Sequence, residues 1–376
     1  MAEAEGNEPA IDAIARLVPA TLKALHALEF AARHLSPATL PQLIEAMAGR
    51  DDDLGPALAA ARALDWPGRL SPVRDCLEPA AEAAAEGIAG LRAAAEAPQP
   101  IVAAYRALRT YAKGAAALYP LAAVLRPVSH FFLEQAARSD PALNERLAGV
   151  DHDRQNIGVM HVGGPPGTRG ACSLYVPEYH DPVTPMPLVV ALHGGSGNGG
   201  AFLWSWVREA RTRGFVVLAP TATGTTWSLM DAEIDGPSID GMVEQVADQW
   251  PIDRARTLLT GMSDGGTFTY VLGLRGDCRF THLAPIAAAF HPMLIGFADA
   301  ERVRGLPIHI VHGAQDWMFS AELARTAEQV LSEAGAEVVY REIADLSHTY
   351  PRDENGHILD WFLGANAHVP LPARRR

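Results

Sequence analysis

Cysteine is scarce in this chain: Cys76, Cys172 and Cys278 are the only three in 376 residues, widely separated and odd in number. They can build neither a disulfide framework nor a CxxC metal or redox site, so buried free thiols are expected. Basic charge is also short. With 31 Lys and Arg against 44 Asp and Glu, the formal net charge is −13. A nucleic-acid binder needs a basic face to displace counterions from phosphate, so no nucleic-acid partner is expected. The C-terminal Arg374, Arg375 and Arg376 are too few to reverse that balance and read as a solvated tail. No apolar run reaches the roughly 18 residues of a membrane-spanning helix, and no repeat at a fixed period marks a solenoid or propeller. The N-terminal MAEAEGNEPAIDAIARL has neither a basic n-region nor a continuous apolar h-region. No secretory signal is read there, and a cytoplasmic, membrane-free location is the expectation.

What is present divides into two grammars, and the length alone suggests two domains, at roughly 100–200 residues each. Residues 1–150 are rich in alanine and helical in period. Ile11, Ile14, Leu17, Leu22, Leu25 and Leu28 fall near one face, with Pro19 predicting a kink or restart. Ser36 before Pro37 reads as an N-cap with proline at the first helical position. Further stripes run from Leu77 to Ile88 and Leu91, through Ile101, Tyr105, Leu108 and Tyr111, and through Leu121, Val124, Leu125 and Val128. Amphipathic helices must bury their apolar faces against one another, so an all-α bundle is expected, with GRDDDLGP and DWPGRLSP as loops.

In residues 151–376 short β-rich runs alternate with helical ones. Strands are read near Gly158–Val162, Ala171–Val176, Pro187–Leu192, Phe215–Ala219, Thr257–Thr260, His282–Ala287, Ile308–Val311 and Val338–Ile343, with helices beginning near Gly200, Ser238, Asp264, Ser320 and Asp353. Alternation of this kind implies a mainly parallel sheet with right-handed crossovers. The first two strands, joined without a helix, should form an antiparallel edge. Ligands in such sheets bind beyond the carboxyl ends of the strands, so the loops that follow strands are the ones to inspect.

Four of those loops carry chemistry. Gly261-Met262-Ser263-Asp264-Gly265 is a GxSxG between a strand and a helix, the setting in which a sharp turn exposes a nucleophilic serine. His193-Gly194-Gly195-Ser196-Gly197-Asn198-Gly199-Gly200 lets backbone amides approach a reacting oxygen. The donors assigned to an oxyanion hole are the amides of Gly195 and of Asp264, the residue after the nucleophile. A phosphate cradle is the rival reading, but the spacing is not GxxxxGK[ST] and no lysine follows; a dinucleotide loop fails because the next strand ends in Pro220. His193 reads as a residue that orients the loop.

Asp316 follows the strand ending near Val311 and His348 follows the last strand, giving the chain order Ser, Asp, His. Imidazole can take the serine proton near neutral pH and a buried carboxylate can fix its tautomer. Asp345 remains an alternative acid, and His312 or His357 an alternative base. The Asp264 carboxylate is expected to point away from the hole, because negative charge there would oppose an oxyanion. No HExxH occurs, and Asp151-His152-Asp153 reads as a polar linker, so no metal is expected.

The stretches VVALHGGSGNGG, WPIDRARTLLTGMSDGG, IHIVHGAQDWMFS and ADLSHTYPRDENGHILDWF resemble the polyhydroxybutyrate-depolymerase-like, feruloyl-esterase and phospholipase/carboxylesterase branch of the α/β-hydrolase superfamily. The resemblance covers roughly residues 158 to 365. It implies a cofactor-independent esterase acting on a small-molecule ester of short or medium acyl length, with Ser263 as nucleophile, Asp316 as acid, His348 as base, and Gly195 and Asp264 as oxyanion donors. Thioesterase or acyltransferase activity would use the same triad, and a non-catalytic binding protein could share the fold. Two departures from the family stand out: no large cap is inserted before the strand near Ile308, and the helical N-terminal domain is extra. That domain is expected to limit access to the site or to make a subunit contact in a homo-oligomer.

Overall fold

A computed structural model describes residues 8–151 and 154–364. The chain divides into two compact units, Met1–Asp140 and Pro141–Arg376. The division falls ten residues before the expected boundary because helix Pro141–Ala148 belongs to the second unit, where the Arg146 guanidinium lies over the Tyr179 ring.

The first unit is all helix. Its long members are Glu8–His34 and Ser71–Ala94, with shorter helices Leu40–Ala46, Leu54–Arg62, Pro100–Leu108, Thr110–Leu118 and Arg126–Phe131. Pro19 does not restart the first helix, which runs unbroken through it. Leu17, Leu25 and Leu28 are buried as expected, but Ile11 is exposed, and most of the buried stripe is alanine: Ala10, Ala13, Ala20, Ala24, Ala27 and Ala31. The same substitution of small for large residues recurs on Pro100–Leu108, where Ala104 and Ala107 are buried while Ile101, Tyr105 and Leu108 are only half-buried. Alanine lets helices approach closely at no rotamer cost, so the packed face need not be the one with the largest side chains. Ser36 does stand before a short 3₁₀ turn, Pro37–Thr39, but its side chain makes no capping hydrogen bond.

In the second unit eight strands form one sheet in the order β1-β2-β4-β3-β5-β6-β7-β8. They are β1 Gly158–Val162, β2 Cys172–Val176, β3 Met186–Leu192, β4 Val216–Pro220, β5 Ile252–Met262, β6 His282–Ile286, β7 Pro307–Gly313 and β8 Glu337–Ile343. β1 pairs antiparallel with β2, β2 antiparallel with β4, and the remaining pairs are parallel. Every residue of β2, β3 and β4 is buried, as expected where helices cover both faces of a sheet. β5 begins five residues earlier than its apolar pattern indicates, since its first half carries Asp253 and Arg254 and none of it is fully buried. The following strands obey a common register: Leu192 pairs with Gly261, Met262 with Ile286, Ile286 with Val311 and Gly313 with Ile343. The loops after β3, β5, β7 and β8 therefore leave the sheet along one edge. The chain reverses its direction of travel beside β3, which makes this edge the crevice of an α/β-hydrolase fold.

One buried group on β7 has no hydrogen-bonding role. His309 is 2% exposed, neither ring nitrogen has a hydrogen-bond partner among the described residues, and the ring meets Trp361 of helix Asn355–Leu363 edge-on at 5.1 Å. Burial, aided by Arg341 and His357 and opposed by Glu354, pushes its pKa from 6.5 down to about 4. A depressed histidine contributes stability that is complete above the unfolded pKa and lost as pH falls towards the folded one. Between pH 6.5 and 4 the loss from this residue should approach ~3 kcal/mol. His309→Leu removes the titration and the unsatisfied nitrogens together. Urea unfolding at pH 7 and pH 5 should show the variant losing less stability than the wild type on acidification; equal losses would show that the His309 pKa is not lowered on folding.

Candidate active site

Ser263 sits where β5 gives way to helix Asp264–Gly273, at φ 56° and ψ −120°. Positive φ is strained for any residue with a Cβ, and here the surrounding glycines make it possible. A Cβ on Gly261 would stand 2.5 Å from the carbonyl carbon and oxygen of Gly265, and one on Gly265 would stand 2.3 Å from the Leu192 carbonyl oxygen. The Ser263 amide donates to Ile286 O at 2.9 Å, tying the turn to β6. The GxSxG spacing is thus a steric requirement of the elbow, and the helix N-terminus that follows places partial positive charge beside the hydroxyl.

His348 Nε2 lies 3.0 Å from Ser263 Oγ, and His348 Nδ1 lies 2.8 Å from Asp316 Oδ2. Because a carboxylate oxygen accepts, Nδ1 carries the proton and Nε2 is left to accept from the serine hydroxyl. The other carboxylate oxygen, Oδ1, accepts from the amides of Met318 at 2.9 Å and Phe319 at 2.8 Å. Burial alone would raise the Asp316 pKa, but the hydrogen bonds from His348, Phe319 and Met318 outweigh it and hold the carboxyl below its usual value. The Asp316 side chain is fully enclosed. Phe319 packs its ring edge-on against His348 at 5.2 Å.

The alternatives fall elsewhere. His312 is buried behind the acid, its Nε2 donating to Phe319 O at 2.9 Å and standing 3.5 Å from Asp316 Oδ2. It backs the carboxylate and does not face the serine. Asp345 is exposed, and His357 lies on helix Asn355–Leu363. Of the polar stretch around residue 152, His152 and Asp153 lie outside the described residues. Among the described residues no group of three or more His, Cys, Asp or Glu is placed to hold a metal ion.

The glycine-rich loop after β3 is held by His193. The Ala222 amide donates to its Nε2 at 3.1 Å, so Nδ1 carries hydrogen and donates to Gly194 O at 2.7 Å. Burial drives the His193 pKa down to about 4, against the opposing pull of the Gly194 carbonyl, which leaves the ring neutral near pH 7. With the Gly194 carbonyl turned back onto this ring and also accepting from Gly197 N at 3.0 Å, the next amide is freed. The amides of Gly195 and Asp264 have no hydrogen-bond partner among the described residues.

A segment that the sequence reading passed over, residues 221–231 after β4, straps this loop to the elbow. Trp227 Nε1 donates to His193 O at 2.7 Å and its ring lies 4.8 Å from the imidazole. The Ser196 amide donates to Thr225 O at 3.0 Å. The strap is anchored by buried Asp235, which accepts from Thr223 N, Thr223 Oγ1 and Ser228 N at 3.0, 2.8 and 2.9 Å. Burial would raise the Asp235 pKa, and these bonds more than offset it. The local signal was the run of Thr and Ser around Trp227, closed by an Asp on the next helix.

Asp264 departs from expectation. Instead of turning away from the oxyanion loop, its carboxylate lies against it: Oδ2 would be 2.6 Å from a Cβ on Gly195 and accepts from Thr226 Oγ1 at 2.5 Å. The strap hydroxyl supplies the partner that the start of its own helix was expected to provide.

No family model matches the chain. It is 34% identical over 150 residues to feruloyl esterase C of Emericella nidulans, covering 38% of this chain and 53% of that protein. It is 29% identical over 173 residues to a bifunctional acetylxylan esterase/xylanase of Neocallimastix patriciarum, covering 45% of this chain and 24% of that protein. A solved thermostable esterase is 24% identical, with a TM-score of 0.44 over 51% of this chain and 58% of that one. The chain spans about half the length of the feruloyl esterase it matches. Sheet order and elbow give the chain an α/β-hydrolase fold, and over part of its length it is similar in sequence to feruloyl and acetylxylan esterases.

Proposed function

We propose that the chain is a serine esterase that hydrolyses carboxylic esters through an acyl-enzyme on Ser263. The observation that carries this reading is the unbroken relay from Ser263 Oγ through His348 to the enclosed Asp316, at 3.0 and 2.8 Å. His348 Nε2 takes the hydroxyl proton as Ser263 attacks the ester carbonyl, and Asp316 stabilises the imidazolium that forms. The amides of Gly195 and Asp264 receive the developing oxyanion. His348 then returns the proton to the departing alcohol, and the same imidazole activates the water that releases the acid and restores the serine. The relatives support feruloyl or acetyl esters of carbohydrates as the first substrates to try.

The test is a pH-stat panel containing methyl ferulate, acetylated xylose, simple alkyl esters and a matched thioester, with acyl-enzyme trapped by acid quench and read by mass spectrometry. Ester hydrolysis with an acyl mass on the peptide bearing Ser263 is the expected result. Faster turnover of the thioester, or ester synthesis outrunning hydrolysis when alcohol is added, would move the assignment to a thioesterase or acyltransferase.

A further inference from the structure

The carbonyl of any ester attacked by Ser263 must lie in the cleft between the loop Gly194–Gly195 and the elbow Ser263–Asp264. These two segments are close: a Cβ on Gly194 would stand 3.5 Å from Ser263 Cβ. The Asp264 carboxylate borders the same cleft, since its Oδ2 occupies the space that a side chain at Gly195 would need. Asp264 is half-buried. Its Oδ2 is satisfied by Thr226 Oγ1, while Oδ1 has no hydrogen-bond partner among the described residues.

A carboxylate in this position works against the reaction. Negative potential beside the amides that receive an oxyanion raises the barrier, and an alkyl ester offers nothing to offset it. A substrate bearing an O–H or N–H close to the scissile bond reverses the sign, because Oδ1 then accepts a hydrogen bond and the donor draws its charge away from the oxyanion. Such a site favours one substrate and penalises its analogue through the same atom.

We propose that Asp264 is a specificity-determining residue that accepts a hydrogen bond from a hydroxyl carried by the substrate within a few bonds of the ester carbonyl. The inference rests on the esterase reading. The hydroxyl can belong to the acyl chain, as in a hydroxy acid, or to the alcohol, as in a polyol or sugar. Thr226 acts through Asp264 as a positioning residue, holding Oδ2 and leaving Oδ1 as the oxygen open to a donor.

Two matched pairs separate the sources: methyl 3-hydroxypropanoate against methyl propanoate for the acyl side, and 2-hydroxyethyl propanoate against ethyl propanoate for the alcohol side. In the wild type, kcat/KM for the hydroxylated member of one pair should exceed that of its plain partner about tenfold or more, the range for a hydrogen bond to a charged group. Asp264→Ala keeps the backbone amide and removes both oxygens, and the ratio should fall to about one. Asp264→Asn keeps the shape, guards against a misfolded alanine variant, and should reduce the ratio several-fold. Thr226→Val should lower the ratio with less effect on the plain ester than on the hydroxylated one. Equal rates within both pairs in the wild type, or a ratio unchanged in the Asp264 variants, would overturn the assignment and leave the esterase reading intact. Failure of the wild type to hydrolyse all four esters would count against the esterase reading, and this inference would fall with it.

Discussion

Ser263→Ala is expected to abolish covalent labelling by a fluorophosphonate probe and to lower kcat on the order of 10⁶-fold, the scale seen when a triad serine is removed. The substitution isolates chemistry from folding. Alanine carries the same Cβ, so the strain at φ 56° is unchanged, and the amide bond to Ile286 O is a backbone interaction that survives. What disappears is the single hydroxyl placed 3.0 Å from His348 Nε2. Ser347 is the internal control. It neighbours the histidine in sequence, but its Oγ is buried and has no hydrogen-bond partner among the described residues, so no base there activates it. Labelling that persists in Ser263→Ala, located by peptide mapping, would remove Ser263 from the mechanism.

Most of the second unit's fold was legible because its central strands are short apolar runs closed by Gly and Pro, and each of the eight appears where it was read. The misses have local causes. Helix Ala232–Gln249 begins six residues before the expected Ser238, because Asp231 caps it through the Glu233 amide and Pro237 is tolerated within its second turn. The first half of β5 is hidden by its charged, exposed residues. In the first unit the large residues mark the packed face in part: Leu77, Ile88, Leu91 and Val128 are buried as expected, while Ile11 and Val124 are exposed, and alanine contributes burial without a strong periodic signal.

At the site, the residues placed by the ends of strands were readable, and those fixed by contacts between loops were not. Ser263, Asp316 and His348 each end a strand of known register, so their convergence follows from topology. The run of Thr and Ser around Trp227 marks a polar loop, but it does not announce that Ala222 and Trp227 fix His193, or that Asp235 fixes the strap that carries them. The orientation of Asp264 differs from expectation for the same reason: its deciding partner is not the start of its own helix but Thr226, on a loop 38 positions away in sequence.

Asp316→Asn should leave the fold intact and lower kcat on the order of 10⁴-fold with little change in KM. The hydrogen-bond geometry dictates which way the amide turns. Two backbone amides, those of Met318 and Phe319, already point at Oδ1, so the carbonyl oxygen of an asparagine must remain there. Its NH₂ group then faces His348 Nδ1, where the carboxylate oxygen stood at 2.8 Å. A donor there requires Nδ1 to accept, which moves the imidazole proton to Nε2 and leaves no lone pair for the Ser263 proton. His312 Nε2–H, 3.5 Å from the same carboxylate oxygen, opposes this turn, but it already donates to Phe319 O at 2.9 Å and is outweighed by the two backbone amides at Oδ1. The enclosed site gives water little room to relieve the mismatch. Thermal melting of the purified variant separates this from unfolding, and steady-state kinetics on an ester that the wild type hydrolyses supplies kcat and KM. A folded variant with less than a tenfold loss in kcat would show that Asp316 does not set the tautomer, and the acid would have to be sought at Asp345.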